Sequence, residues 1–261
     1  MNRTQEPLLA LHAISKHFGG LVATNNVSFE LWPGEVISII GPNGAGKTTL
    51  INLITGVFPP TRGTIRFNGA RIDRLPLDRI SHRGIARTFQ DLRLFTNLTV
   101  LDNVLVATRR KVHASLIEIL TRSGRSRAQD HQLRSSATEA LVSVGLENKA
   151  SLYPHNLSAR EQRLLALARC LVTEPKLLLL DEPAGGLSRE EIRGLSHLLL
   201  ELRDRGITVV FVEHRMEMIM GLSDRVIVLN FGEVIADDTP DKIQENPAVL
   251  AAYLPKVQST S

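Results

Sequence analysis

One cysteine, one tryptophan and two tyrosines in 261 residues set the first limits on what this chain can be. The lone Cys170 excludes an internal disulfide and fits a reducing compartment, where it reads as a core residue on a helix. Aromatic residues make up only 4% of the chain, and none interleave with its basic stretch to stack bases, so nucleic acid is not an expected partner. No apolar run approaches the roughly 18 residues of a membrane span. The segment from Met1 to Ala10 carries charges and a proline but no apolar signal-peptide core. These absences give the expectation of a cytosolic chain. The net charge is a modest +4. Its excess gathers in Arg109, Arg110, Lys111, Arg122, Arg125, Arg127 and Arg134, opposed there by Glu118 and Asp130 alone. Such a run is either a solvated face or a contact for anionic headgroups or an acidic partner surface.

What is present is better defined. The length suits one large domain or two small ones, and the 43% apolar share supplies a substantial core. The stretch Gly41-Pro42-Asn43-Gly44-Ala45-Gly46-Lys47-Thr48-Thr49 fits the phosphate-binding pattern G-x-x-x-x-G-K-[ST]. Val36 to Ile40 before it reads as a buried strand. Leu50, Ile51, Leu53, Ile54 and Val57 after it give a helical apolar face. Glycines let the backbone curl so that successive N–H groups face phosphate oxygens, and the helix adds its positive end. Lys47 would reach the β- and γ-phosphates, and the Thr48 hydroxyl would ligate Mg²⁺. This predicts a nucleoside-triphosphate binder.

Read in order, residues 8–13 and 27–31 predict strands, with Phe18-Gly19-Gly20 between them. Phe18 is either a core aromatic or the flat side chain on which an adenine stacks. Thr64 to Phe67, Asn68-Gly69 and Ala70 to Ile72 predict a hairpin, because Asn-Gly favours the primed turns. From Pro76 the pattern turns helical, with a short strand at Ile85 to Thr88 leading to Gln90. Residues 99–145 read as largely helical, broken near Ser123-Gly124, and a further helix spans about 158–172. Leu177 to Leu180, Ile207 to Val212 and Val226 to Leu229 are continuous apolar strands, so with 36–40 they predict a parallel sheet covered on both faces. A helix over 189–205 repeats Ile192, Leu195, Leu199 and Leu202, and Ser188-x-x-Glu191 caps its start. A last short strand spans 233–236.

Two carboxylates, Asp181 and Glu182, follow the Leu177–Leu180 strand at its carboxyl end, where ligands of open α/β sheets bind. Asp181 would hold Mg²⁺ through water, together with Thr48, and Glu182 would polarise the water that attacks the γ-phosphorus. His214 ends the Ile207–Val212 strand after Glu213, in reach of the same phosphate. Gln90, at a strand-to-helix junction, is a further candidate to touch both Mg²⁺ and the attacking water.

Together these residues resemble the ABC ATPase family over nearly the whole chain. The matching elements are Gly41–Thr48, a Q-loop at Gln90, Leu177–Glu182 with Pro183, and a switch histidine at His214. Within the family, Arg87-Thr88-Phe89-Gln90, Leu92-Arg93-Leu94-Phe95, Gly221-Leu222-Ser223-Asp224-Arg225 and the tail from Asn246-Pro247 to Ala252-Tyr253-Leu254 are similar to the ATPase subunits of branched-chain amino-acid importers. The resemblance implies an α/β fold, a P-loop NTPase with a RecA-like parallel sheet, an antiparallel β subdomain and an inserted helical subdomain. The implied ABC ATPase domain spans 8–253. Residues 1–90 and 174–240 form its nucleotide-binding core, 91–173 the helical subdomain with the signature motif, and 241–261 a helical tail. ATP and Mg²⁺ are the implied cofactors. Two such chains would close head to tail around two ATPs and drive a transmembrane permease from the cytoplasmic face of the membrane, an extracytoplasmic solute-binding protein taking part indirectly. The alternatives are a soluble ABC ATPase outside transport and a regulatory cassette with weak hydrolysis.

The signature, Leu-Ser-Gly-Gly-Gln in most members, reads Leu157-Ser158-Ala159-Arg160-Glu161 here. Arg160 replaces the glycine whose backbone must approach the partner's γ-phosphate. Three readings stay open. Ser158-x-x-Glu161 is a helix cap with Arg160 turned outward, or Arg160 impairs the composite site, or it supplies charge to the phosphate in trans. The altered motif favours a paralogue with an intact signature over an identical copy as the second ATPase subunit.

Overall fold

The structure is a computed structural model that describes residues 6–88, 92–108 and 124–253, with the backbone alone over 124–129. The chain opens with β1 (Leu9–Phe18), β2 (Leu21–Leu31) and β3 (Val36–Ile40), then α1 (Lys47–Ile54). There follow β4 (Arg62–Phe67), β5 (Ala70–Arg71), α2 (Leu77–His82) and β6 (Ile85–Arg87). Among the described residues, α3 (Val100–Thr108), α4 (Gly124–Ser143) and α5 (Ala159–Leu171) come next. The chain then alternates through β7 (Leu177–Asp181), α6 (Arg189–Asp204), β8 (Thr208–Val212) and α7 (Met216–Leu222). It closes with β9 (Arg225–Asn230), β10 (Glu233–Asp238), α8 (Pro240–Glu245) and α9 (Pro247–Tyr253). The described residues fall in two compact units. One holds those within Met1–Ile85, Lys176–Ala184 and Ile192–Ser261, the other those within Ala86–Pro175 and Gly185–Glu191.

In the first unit the order of the larger sheet is β10-β9-β3-β8-β7. The neighbours β9, β3, β8 and β7 run parallel, and β10 returns antiparallel at one edge. Every residue of β3, β7 and β8 is buried, as continuous runs of Val, Ile and Leu demand when both faces of a sheet are covered. Each fully buried aliphatic side chain contributes about 1.5–3 kcal/mol relative to exposure, so these strands anchor the unit. In α6 the residues Ile192, Leu195, Leu199 and Leu202 turn inward, the stripe their spacing predicts. Edge strand β10 carries Glu233, Asp237 and Asp238. Asn25 donates to Glu233 at 2.6 Å, Arg225 pairs with Asp237 at 3.0 Å and Lys242 with Asp238 at 3.0 Å.

The smaller sheet, β2-β1-β4-β5, is antiparallel throughout. The Asn68-Gly69 hairpin forms as its sequence predicts, with Phe67 opposite Ala70. The strands expected at 8–13 and 27–31 are longer, and Phe18 pairs with Leu21 across the Gly19-Gly20 turn. Their distal halves are half-exposed, so backbone pairing extends them without an apolar pattern to announce it.

The second unit packs α3, α4 and α5 together, and Val104, Leu141 and Leu165 are fully buried on them. Fully buried Asn103 donates to the carbonyls of Phe95, Leu98 and Thr99 at 3.0–3.2 Å and accepts from Phe95 N–H at 2.9 Å, which fixes the turn that enters α3. Of the break expected near Ser123-Gly124, Ser123 lies outside the described residues and Gly124 is helical within α4.

Asp73 fastens the small sheet. Its carboxylate is 4% exposed and accepts from Ile65 N–H at 3.3 Å and from Arg71 at 2.8 and 3.1 Å. Burial pushes this carboxyl up, but the Arg71 guanidinium and the Ile65 N–H outweigh it and hold it below the usual aspartate range. A depressed folded-state pKa gives stability that is full above the unfolded value of about 3.9 and lost as pH falls through the folded value. Asp73→Asn is therefore expected to cost about 1–2 kcal/mol at pH 7. The gap from wild type should close below about pH 4, as read from urea midpoints across pH.

Candidate functional site

The chain leaves the centre of the large sheet at Ile40 and enters a loop where three backbones meet. Gly41 has φ +152°, and a Cβ there would fall 2.1 Å from the carbonyl oxygen of Leu229 on β9. Gly46 has φ +99°, and a Cβ there would fall 2.4 Å from the carbonyl oxygen of Ala23 on β2. Both obstacles are main chain, so neither can yield as a side chain would. Gly232, in the β9–β10 turn, donates to Ala45 O at 3.0 Å and completes the clasp.

That shape places Lys47 at the first turn of α1, 7% exposed. Its ammonium donates to the carbonyls of Gly41 at 2.7 Å and Pro42 at 2.9 Å. Burial pushes its pKa down, while Glu182 and then Asp181 hold it up. The predicted phosphate-binding lysine and the predicted acid pair therefore act on one another across the loop. Thr48, beside Lys47 on α1, is exposed.

Asp181 is the last residue of β7, 8% exposed and opposite Val212 in the parallel register. The chain then turns sharply. Glu182 adopts φ +49°, in the left-handed region, and donates its N–H to Val212 O at 3.0 Å. Such a backbone costs a non-glycine residue about 1–2 kcal/mol and clusters at functional positions. The turn aims the carboxylate at His214, whose Nε2 lies 3.4 Å from Glu182 Oε1. So Lys47, Asp181, Glu182 and His214 all belong to the first unit and converge on the carboxyl ends of β3, β7 and β8.

The other candidates fall elsewhere. Phe18 ends β1 and is 44% exposed, so it is not a core aromatic. Its ring meets Phe58 edge-on at 5.2 Å, and Lys16 Nζ sits 5.1 Å from its centroid. Gln90 lies outside the described residues. Leu157, Ser158 and Arg160 belong to the second unit. There Ser158 caps α5 with both bonds of a capping box: its Oγ accepts from Glu161 N–H at 3.3 Å and its N–H donates to Glu161 at 2.9 Å. Lys149 also pairs with Glu161 and, ahead of the Ser158 N–H, lowers its carboxyl. The start of α6 repeats the device with Ser188 and Glu191. Glu191 is lowered first by Ser188 and also by the positive charge of Arg160. Two residues were not singled out from the sequence: Lys149, on a charge partner twelve residues away, and Glu213, a carboxylate buried beside His214. The one available signal for Glu213 was an acid placed at the end of an apolar strand.

The residues fit a magnesium nucleotide. Mg²⁺ takes one or two protein oxygens and completes its shell with water and phosphate, and an exposed Thr48 hydroxyl with a nearly buried Asp181 carboxylate is such a pair. Among the described residues no cluster of three or more His, Cys, Asp or Glu side chains forms an all-protein metal cage.

The glycine geometry yields a direct test. Gly44→Ala, at φ +79° with open space around it, carries the left-handed penalty alone, about 1–2 kcal/mol. Gly41→Ala meets the Leu229 carbonyl and adds an overpacking cost of about 1–3 kcal/mol. Denaturant unfolding should rank Gly41→Ala as the less stable protein, and titration with a fluorescent ATP analogue should show it binding more weakly than Gly44→Ala.

Comparison with known proteins places this geometry. The family model for the ABC transporter matches residues 24–185, and a model for the branched-chain amino acid ATP-binding cassette transporter matches 233–254. The chain is 42% identical over 250 residues to the high-affinity branched-chain amino acid transport ATP-binding protein LivG of Escherichia coli (strain K12), covering 95% of this chain and 98% of that one. It is 40% identical over 249 residues to BraF of Pseudomonas aeruginosa, a protein described in the same words, with the same coverage. Among solved structures, a nucleotide-free ATP-binding cassette from an ABC transporter superposes with a TM-score of 0.84 at 29% identity, over 96% of this chain and 100% of that one. The ADP conformation of an ATP-binding cassette gives 0.83 at 28% identity, over 95% and 99%. A P-loop cassette fold, a phosphate loop facing a strand-end acid pair, and a family match across most of the chain lead to one conclusion: this protein belongs to the ABC transporter family, as an ATP-binding subunit whose ATPase activity is coupled to transport.

Proposed function

We propose that this subunit powers the import of branched-chain amino acids or closely related small solutes. What supports that choice of cargo is the 40–42% identity to LivG and BraF along nearly the full chain, together with the matched tail at 233–254. The observation that carries the chemistry is Lys47, buried in the loop yet acted on by Glu182 and Asp181.

In the proposed site the N–H groups of Gly41–Thr49 surround the phosphates, and Lys47 exchanges its bonds to the Gly41 and Pro42 carbonyls for the β- and γ-oxygens. Phe18, half-exposed at the end of β1, offers a face on which the adenine stacks. Thr48 and Asp181 would hold Mg²⁺, with Gln90 as a further ligand, and the ion would supply charge neutralisation between the phosphates. Glu182 takes the proton of the attacking water, and His214 at 3.4 Å holds that carboxylate and contacts the γ-phosphate.

The working assembly in this reading is a head-to-tail pair of cassettes on a permease at the cytoplasmic face, fed by an extracytoplasmic binding protein. Leu157 and Ser158 then meet the nucleotide of the partner cassette. We propose that the partner is a paralogue with an intact signature, because Arg160 impairs the composite site it enters while this chain's own ATP stays competent. A second reading has support of its own: the Ser158 cap is complete, and Arg160 lies near enough to Glu191 for its charge to add to the pull of Ser188 on that carboxyl. Arg160→Gly in the assembled transporter separates the two. A rise in ATP turnover of about tenfold, the scale of one charge-assisted phosphate contact, is expected if Arg160 impairs the site. An unchanged rate removes that reading.

Glu182→Gln should lower turnover by about 100-fold or more while ATP is retained, the scale of a lost general base. Lys47→Ala should weaken ATP binding by about tenfold or more through the loss of its charge-assisted bonds. Radiolabelled ATP retention and phosphate release measured on both variants check the assignment. A Glu182→Gln protein hydrolysing at the wild-type rate ends the base role.

A further inference from the structure

Glu213 has no part in the reaction described above, yet it is 3% exposed and stands next to His214. A carboxylate removed from water needs donors or a counter-charge. Among the described residues no Lys, Arg or His forms an ion pair with it. Its donors are main-chain N–H groups from two different loops. Oε1 accepts from Ala184 N–H at 2.7 Å, beyond the β7 strand end. Oε2 accepts from His214 N–H at 3.0 Å and Arg215 N–H at 3.3 Å, beyond the β8 strand end.

The choice of Ala184 follows from the sequence. Glu182 sends its own N–H to Val212 O, and Pro183 has none to give, so Ala184 provides the first free donor after the proposed base. The segment it belongs to needs holding. Glu182 sits at φ +49° immediately before a proline, a residue type that restricts its predecessor further. Strain of that kind persists only where the surroundings fix it. On one side the fixing bond is Glu182 N–H to Val212 O, and on the other it is Ala184 N–H to the Glu213 carboxylate.

We propose that Glu213 is a positioning residue that clamps the acid loop to the histidine loop and sets the 3.4 Å register between Glu182 and His214. The proposal rests on the roles given to those two side chains above. Glutamine cannot reproduce the clamp. It offers one acceptor oxygen, so either Ala184 or the His214–Arg215 pair would face an NH₂ donor. Aspartate keeps the charge but is one methylene short of spanning both loops. The clamp touches neither the phosphate loop nor Lys47, so nucleotide affinity should be spared while the chemical step suffers.

The test uses the full chain assembled with its permease and partner cassette. Glu213→Gln should lower kcat about tenfold, the scale of one buried hydrogen bond left unmade, with KM for ATP unchanged within about twofold. Glu213→Asp should show the same split and serves as the reading if the glutamine variant does not fold. In a His214→Ala background, Glu213→Gln should lower the residual single-turnover rate no further, since the register it maintains is already gone. The proposal is overturned by an unchanged kcat, by KM rising in step with the loss of kcat, by the same fold-loss in both backgrounds, or by both variants losing cooperative unfolding. Glu182→Gln, run alongside, keeps the two readings apart. If it is inactive and Glu213→Gln is normal, only the clamp fails; if it hydrolyses at the wild-type rate, the proposed base itself fails.

Discussion

The close approach of main chain to main chain around the phosphate loop is the constraint on which the rest of this structure depends. Carbonyls of Leu229 and Ala23 stand where side chains at 41 and 46 would have to go. Glycine alone satisfies both positions, and the loop that results can turn its N–H groups inward and bury an ammonium at the start of a helix. The two flanking backbones come from different sheets, β9 from the parallel one and β2 from the antiparallel one. The small sheet therefore does more than decorate the core, since one of the walls of the phosphate loop is built from it.

Electrostatics follow from that geometry. Placing Lys47 in the loop at 7% exposure costs solvation, and the nearby strand-end acids return part of it. Two strand ends contribute polar groups that an isolated strand would have no reason to keep: the carboxylates of Asp181 and, after the turn, Glu182 at β7, and the imidazole of His214 beyond β8. The parallel register of β7 and β8 brings the last two within 3.4 Å although they are far apart in the chain. In the second unit the same economy appears as two serine–glutamate caps, one opening α5 and one opening α6.

Much of this was legible before any coordinates. The apolar runs of β3, β7, β8 and β9, short and bounded by turn residues, read as strands buried on both sides, and Asn68-Gly69 names its turn. The phosphate loop, the acid pair and His214 could be found because each breaks a pattern: glycines where a helix should begin, charge where a hydrophobic strand ends. The distal halves of β1 and β2 were not legible, because their hydrogen bonds rather than their side chains make them strands. Glu213 was visible as a residue but not as a clamp. Its partner Ala184 lies 29 positions away and offers only a backbone N–H, which no side-chain pattern records. Lys149 was hidden for a similar reason, its role arising from a pairing with Glu161 across two turns of loop. Phe18, readable either as a core aromatic or as a face for an adenine, lies half-exposed at the end of β1, which removes the core reading.

The antiparallel strand at one end of the large sheet has a consequence for how that sheet stops. A free sheet edge is a template for another copy's backbone. Here the edge is β10, with Glu233, Asp237 and Asp238 among its six residues. Arg225 and Lys242 pair with Asp237 and Asp238 from within the same molecule, and Asn25 donates a hydrogen bond to Glu233. The charged strand therefore closes this side of the sheet with acids whose partners lie in the same molecule, a poor template for a further strand.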